Sequence, residues 1–153
     1  MGPLIEAKVA EIAQRPKSLQ TYIVGCDFDG TVTETNEFPR IGNIRPGIKE
    51  LLLRLKAAGH DIILTSCRSG SYLTSAIRFI ERQGLGCVFS AYNAQSKLAP
   101  PGLSGKVYVH FLLDDSATPG DFDVEAWANY LERIGVILPV TAKPGRQSKN
   151  RRT

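Results

Sequence analysis

Four short apolar runs, rich in β-branched residues and each ending in a polar turn, alternate with segments whose apolar residues recur at helical spacing. Thr21-Tyr-Ile-Val-Gly-Cys-Asp27, Asp61-Ile-Ile-Leu-Thr65, Cys87-Val-Phe-Ser-Ala91 and Lys106-Val-Tyr-Val-His-Phe-Leu-Leu113 read as strands, the last being the clearest. Between them the spacing predicts a helix from Pro46 through Ala58, stopped by Gly59, and a second over Tyr72–Gln83, capped by Gly84. A last helix spans Val124–Ile134, with Trp127, Tyr130 and Leu131 on its buried face, and Val136–Val140 reads as a short further strand. Strand–helix–strand units with right-handed crossovers build a parallel sheet covered on both faces, and they bring every strand's C-terminal end to one edge. The predicted fold class is therefore α/β, a three-layer Rossmann-like arrangement around a mainly parallel sheet.

At 153 residues and 42% apolar, the chain suits one domain around one core and excludes a disordered one. No stretch approaches the 18 apolar residues of a membrane span, so no membrane partner is expected. Met1–Arg15 breaks its apolar residues with Glu6, Lys8 and Glu11, which is no signal-peptide core, and the expected compartment is the cytoplasm. The division predicted is an N-terminal helical extension over 1–20, a domain over 21–142 and a basic, disordered tail over 143–153. That tail holds Lys143, Arg146, Lys149, Arg151 and Arg152; without it, residues 1–142 carry 14 Lys and Arg against 15 Asp and Glu. The basic balance thus belongs to the tail, which offers a weak attachment to nucleic acid as a minor reading beside plain solvation. Cys26, Cys67 and Cys87 form neither a disulfide framework nor a zinc site, and each is expected to pack as a small hydrophobe.

The chemistry gathers at the strand ends. Strand one runs into Asp27-Phe-Asp29-Gly-Thr31, strand two into Thr65-Ser66-Cys-Arg68, and strand four into Asp114-Asp115-Ser116. A parallel sheet brings these together although up to 88 residues separate them. Four carboxylates in a poorly hydrated crevice repel one another. A hard divalent cation relieves that repulsion, and an all-oxygen donor set selects Mg²⁺.

Cys-Asp27-Phe-Asp29-Gly-Thr31-Val-Thr33 resembles the first motif of the haloacid dehalogenase-like phosphohydrolase superfamily. Ile-Leu-Thr-Ser66-Cys-Arg68 is similar to its second motif, and Leu-Leu-Asp114-Asp115 to its acidic fourth. The resemblance spans about Thr21 to Ile134 and implies a Mg²⁺-dependent phosphomonoester hydrolase. It implies Asp27 as the nucleophile that forms an aspartyl-phosphate. Asp29 would be the acid and base, with its backbone carbonyl on the metal. Asp114 would complete the metal site, with Asp115 supporting it directly or through water. Ser66 would hold a phosphoryl oxygen, with Thr65 as the alternative. Lys106, eight residues before Asp114, would neutralise charge beside the nucleophile, with Lys97 as the alternative. In an i, i+2 pair on a strand, Asp27 and Asp29 can aim at one centre.

Only 15 residues, 31–45, separate the first motif from the next helix, and 14, 92–105, separate strand three from Lys106. Neither is long enough for a folded lid, so no cap domain is expected and the site is open to bulky phosphorylated substrates. A neighbouring subunit could partly cover it. Glu34, Glu37, Phe38, Arg40 and Arg68 are candidate substrate contacts, with loop packing as the alternative for each. His110 is expected in the core or on a sheet face, and His60 as a solvated helix end. Three other functions compete: a phosphoacceptor signalling module, an inactive partner-binding relative and a polynucleotide phosphatase. The signalling module needs an acceptor Asp on strand three, where this chain has Ser90 and Ala91.

Overall fold

A computed structural model describes residues 20–103, 106–115 and 122–139. The elements, in chain order, are β1 (Ile23–Cys26), α1 (Ile48–Ala57), β2 (Asp61–Leu64), α2 (Gly70–Arg82), β3 (Phe89–Tyr92), β4 (Phe111–Leu113) and α3 (Val124–Arg133). The strands form one sheet in the order β3-β2-β1-β4. Every pairing is parallel, with Val24 opposite both Ile62 and Phe111, and Cys26 opposite both Leu64 and Leu113. The chain is thus an α/β protein with the expected Rossmann-like parallel sheet. The expected N-terminal helix and basic tail lie outside the described residues, as do Ser116 and Val140.

Alternation along the strands sorts the core. Val24, Cys26, Ile62, Leu64, Phe111 and Leu113 share one cluster with Leu52 and Leu55 of α1, Ala76 and Ile80 of α2, and Trp127 and Leu131 of α3. Ile23 and Ile63, one residue out of phase, are also buried, on the opposite face. There the layer among the described residues is the connection between β3 and β4: Val109 packs against Gly25, and Ser96 Oγ donates to Asp61.

That connection corrects the reading of strand four. Only Phe111–Leu113 pairs; Lys106 and Tyr108 are instead held through their backbones by the Gln95 side chain, at 2.8 Å each. The bonding to β1 begins with the His110 N–H, which donates to Ile23 O at 2.8 Å, and just ahead of it Val109 packs over the sheet against Gly25. The segment after α3 likewise forms turns with Val136 and Ile137 buried, not a strand. Helix boundaries fall within two residues of expectation. Asp123 caps α3 by accepting the Ala126 N–H at 3.0 Å.

Two further expectations fail on burial. His60 is 4% exposed: its Nδ1 accepts the Tyr22 N–H and its Nε2 donates to the Val136 carbonyl. Burial pushes its pKa down, so it stays neutral, and the closing carbonyl acts only partly against that. Cys26 is buried as expected, but Cys67 and Cys87 are exposed, because one lies in the turn after β2 and the other precedes β3. His110 is half-buried beside β1, where its Nδ1 accepts the Ile23 N–H at 2.9 Å.

Candidate active site

β1 lies between β2 and β4, so its end faces both neighbours. The chain moves outward from β1 to β3 and then returns to β4 on the other flank, and open α/β sheets form their crevice at such a reversal. Along that edge stand Asn93, Thr65 and Ser66, Asp27, and Asp114. The ladder continues one step past the strands: the Asp27 N–H donates to Leu113 O at 2.8 Å, Thr65 N–H to Cys26 O at 2.9 Å, and Asn93 N–H to Leu64 O at 2.7 Å.

Asp27, Asp114 and Asp115 each offer a carboxylate oxygen, all within 4.8 Å of one another. Burial, and next the charge of Asp114, push the Asp27 carboxyl up to about 7, with Asp115 and Asp29 adding and the Phe28 N–H acting the other way. Asp115 is also raised, by burial and then by its contact with Asp114. Such a set, all oxygen and mutually repelling, suits a hard divalent cation. Burial, with the Asp27 and Asp114 charges, pushes the adjacent Cys26 thiol far up, so it offers neither a nucleophile nor a soft ligand.

The turn Phe28–Val32 makes this approach possible. Gly30 has φ +84°, and a Cβ built on it would overlap the Asp115 carboxylate, whose Cγ would lie 3.0 Å away. Thr31 Oγ1 accepts the Asp115 N–H at 3.0 Å and lies 3.4 Å from Asp27 Oδ2, so it touches both ends of the acidic cluster. Behind the turn, buried Arg45 donates to the carbonyls of Gly30 at 2.7 Å, Thr31 at 3.0 Å, Glu34 at 3.2 Å and Phe122 at 3.0 Å. A single guanidinium thereby fixes the backbone that carries the acids.

Asp29 is held elsewhere. Arg68 clamps it in two parallel contacts, Nε to Oδ2 and Nη2 to Oδ1, both 2.7 Å, with the Arg68 side chain 1% and the Asp29 side chain 12% exposed. Arg68 also donates to the carbonyls of Arg40 at 2.8 Å, Pro39 at 3.3 Å and Tyr72 at 3.5 Å, and packs against the rings of Phe28 and Phe38. The strand argument for an i, i+2 pair does not apply, because β1 ends at Cys26 and Asp29 already lies in the turn. Arg68, an expected substrate contact, is a buried partner of Asp29.

The other expected residues divide. Ser66 sits at the edge, its N–H bound to Asn93 Oδ1 at 2.7 Å and its Oγ accepting the Arg68 N–H at 3.0 Å. The Thr65 hydroxyl is buried without a hydrogen-bond partner. Lys97 lines a cavity of about 420 Å³ with His60 and Asp61, at the edge where the strands begin, and so lies opposite Asp27. Lys106 is exposed ahead of β4. Glu37 and Arg40 are exposed in the loop closed by the Thr33–Ile44 bridge, and Glu34 is half-buried.

Arg45 and Asn93 were not anticipated, and Thr31, expected in the turn of the first motif, also binds Asp115. Asn93 adopts φ +53°, which Asn tolerates better than most residues, and its Nδ2 donates to the Arg68 carbonyl at 3.1 Å. An Asn directly after a strand in this topology was the available clue. Nothing in the sequence marked Arg45.

Fold and site together define a parallel α/β protein with a three-carboxylate cluster at its strand-order reversal. A solved structure of a conserved protein from Bacteroides thetaiotaomicron is similar, with 32% identity and a TM-score of 0.63 over 74% of this chain and 90% of that one. The chain belongs to the same family as that protein. No family model matches the chain, and no curated protein does. No helix among the described residues is long and apolar enough to cross a membrane.

Proposed function

We propose that this protein is a phosphomonoester hydrolase of the haloacid dehalogenase-like kind, working through an aspartyl-phosphate on Asp27 with Mg²⁺. The observation that carries the reading is the convergence of Asp27, Asp114 and Asp115 from the ends of β1 and β4. Asp27, Asp114, the Asp29 carbonyl and Asp115, directly or through water, would hold the cation, which when bound supplies charge neutralisation for an anionic phosphoryl group.

One Asp27 oxygen attacks phosphorus, forming a P–O bond to the carboxylate as the ester P–O bond breaks. Asp29, once it has bound a proton from solvent on an oxygen that Arg68 releases, gives that proton to the departing oxygen. Water then attacks the phosphorus of the aspartyl-phosphate and gives its proton to Asp29, releasing inorganic phosphate and restoring Asp27. Asp29 can act only when one of its oxygens leaves Arg68, and the carbonyls of Pro39, Arg40 and Tyr72 give the guanidinium other acceptors meanwhile. The Ser66 hydroxyl, or the unpartnered Thr65 hydroxyl, would donate to a phosphoryl oxygen. Lys106, with Lys97 as the alternative, would neutralise charge beside the nucleophile; Lys97 lines the cavity beside Asp61, and the Lys106 backbone is held by Gln95, which lines it too.

The test is hydrolysis of an aryl phosphate. Activity should require Mg²⁺, stop with EDTA and be lost in Asp27→Asn; full activity in Asp27→Asn refutes the nucleophile. Slow decay of a stable phosphoprotein, without turnover, would favour a signalling module.

A further inference from the structure

We propose that Phe38 and Tyr72 form a subsite for an aromatic leaving group, so that the substrate is a phosphomonoester whose ring lies one or two carbons from the ester oxygen. The inference rests on the phosphatase reading of Asp27 and Asp29. If Asp29 protonates the departing oxygen, the leaving group lies on the Asp29 side of the site. Arg68 covers Asp29 there, and the Phe38 ring lies 5.0 Å from the Arg68 guanidinium carbon. Tyr72, in the first turn of α2, meets Phe38 edge-on with centroids 5.0 Å apart.

These two rings are 52% and 49% exposed, whereas Phe28, the other ring against Arg68, is fully buried. They stand among polar neighbours, with Thr35, Asn36, Glu37 and Arg40 in the same loop. The backbone that carries each is held in place. The Phe38 N–H donates to Asn36 Oδ1 at 3.1 Å, the next two carbonyls accept from Arg68, and the Tyr72 N–H donates to Ser69 O at 3.1 Å. A preformed aromatic corner loses little freedom on binding, and it rewards a planar ring that can stack or meet it edge-on. Among the described residues, this corner lies against the guanidinium that clamps the acid.

The experiment compares phenethyl phosphate with n-butyl phosphate, two primary alkyl esters of similar leaving-group acidity that differ in the ring. With Mg²⁺ present, kcat/KM for the phenethyl ester should exceed that for the butyl ester by roughly tenfold, and Phe38→Ala or Tyr72→Ala should each cut that ratio about threefold or more. Phe38→Leu, which keeps an apolar side chain but removes the ring, should lower the ratio as well. Phenethylphosphonate should likewise outcompete butylphosphonate as an inhibitor, a readout that needs no turnover of the ligand. Equal kcat/KM for the two esters, or a ring preference that survives both alanine variants, overturns the subsite while leaving the phosphatase reading intact. Hydrolysis of an aryl phosphate but of neither ester overturns the subsite alone, whereas hydrolysis of none of the three overturns the phosphatase reading and the subsite with it.

Discussion

Replacing Arg68 with Met removes the partner of a carboxylate that is 12% exposed and contacted twice at 2.7 Å. Breaking a buried pair by deleting one member costs about 3–5 kcal/mol, most of it from the charge left behind. The slight exposure of Asp29 admits some water, which favours the lower end, about 3 kcal/mol. Asp29→Asn in the same background removes the stranded charge, so the double variant should recover much of that loss. Urea unfolding of the four proteins, with unchanged m-values, reads this as a coupling energy of about 2 kcal/mol or more. Arg68→Lys keeps the charge but not the fork, and should lie between wild type and Arg68→Met. A coupling below about 0.5 kcal/mol, the range of exposed pairs, would refute the account of Asp29 as a clamped group.

Two further outcomes follow from the acidic cluster. In metal-free protein the Asp27 carboxyl titrates at about 7 rather than near 3.8. The unfolded chain therefore releases this proton first, and wild-type stability falls as pH rises from about 4 to about 7. Three units correspond to about 4 kcal/mol at most, and partial solvent contact reduces this to roughly 2. Asp27→Asn should thus be stabilised by that amount near pH 8 in EDTA and much less near pH 4, by urea unfolding; a gain independent of pH contradicts the cause given. Gly30→Ala places a methyl group against Asp115 at φ +84°. It should cost about 1–2 kcal/mol of stability from the backbone alone and weaken Mg²⁺ binding by calorimetry, whereas unchanged binding would separate Gly30 from the cluster.

The parallel sheet was legible because strands buried on both faces must be short apolar runs, and the order of the chain then places Asp27 and Asp114 on one edge. The length of strand four was not legible. Lys106–His110 has the composition of a strand, but the Gln95 side chain takes up the backbone of Lys106 and Tyr108, a tertiary contact that no local pattern announces. The Asp29–Arg68 pair was hidden for a similar reason. Whether a residue two beyond a strand points to solvent or into a turn depends on the path of the 33–44 loop, whose carbonyls capture the guanidinium. His60 followed a helix-stopping Gly and looked solvated; only the packing of Tyr22 and Val136 around it creates its buried, neutral state. Asn93 and Arg45 act through backbone carbonyls and turns, and such roles leave no periodic trace.

The most direct measurement mixes the protein with an aryl phosphate and Mg²⁺, quenches in acid, reduces any acyl-phosphate with borohydride and maps the product by peptide mass spectrometry. Reduction of Asp27 alone, lost when the cation is chelated, is the predicted result. Brisk turnover with no reducible carboxylate, or with the reduced residue at Asp29, Asp114 or Asp115, contradicts the account.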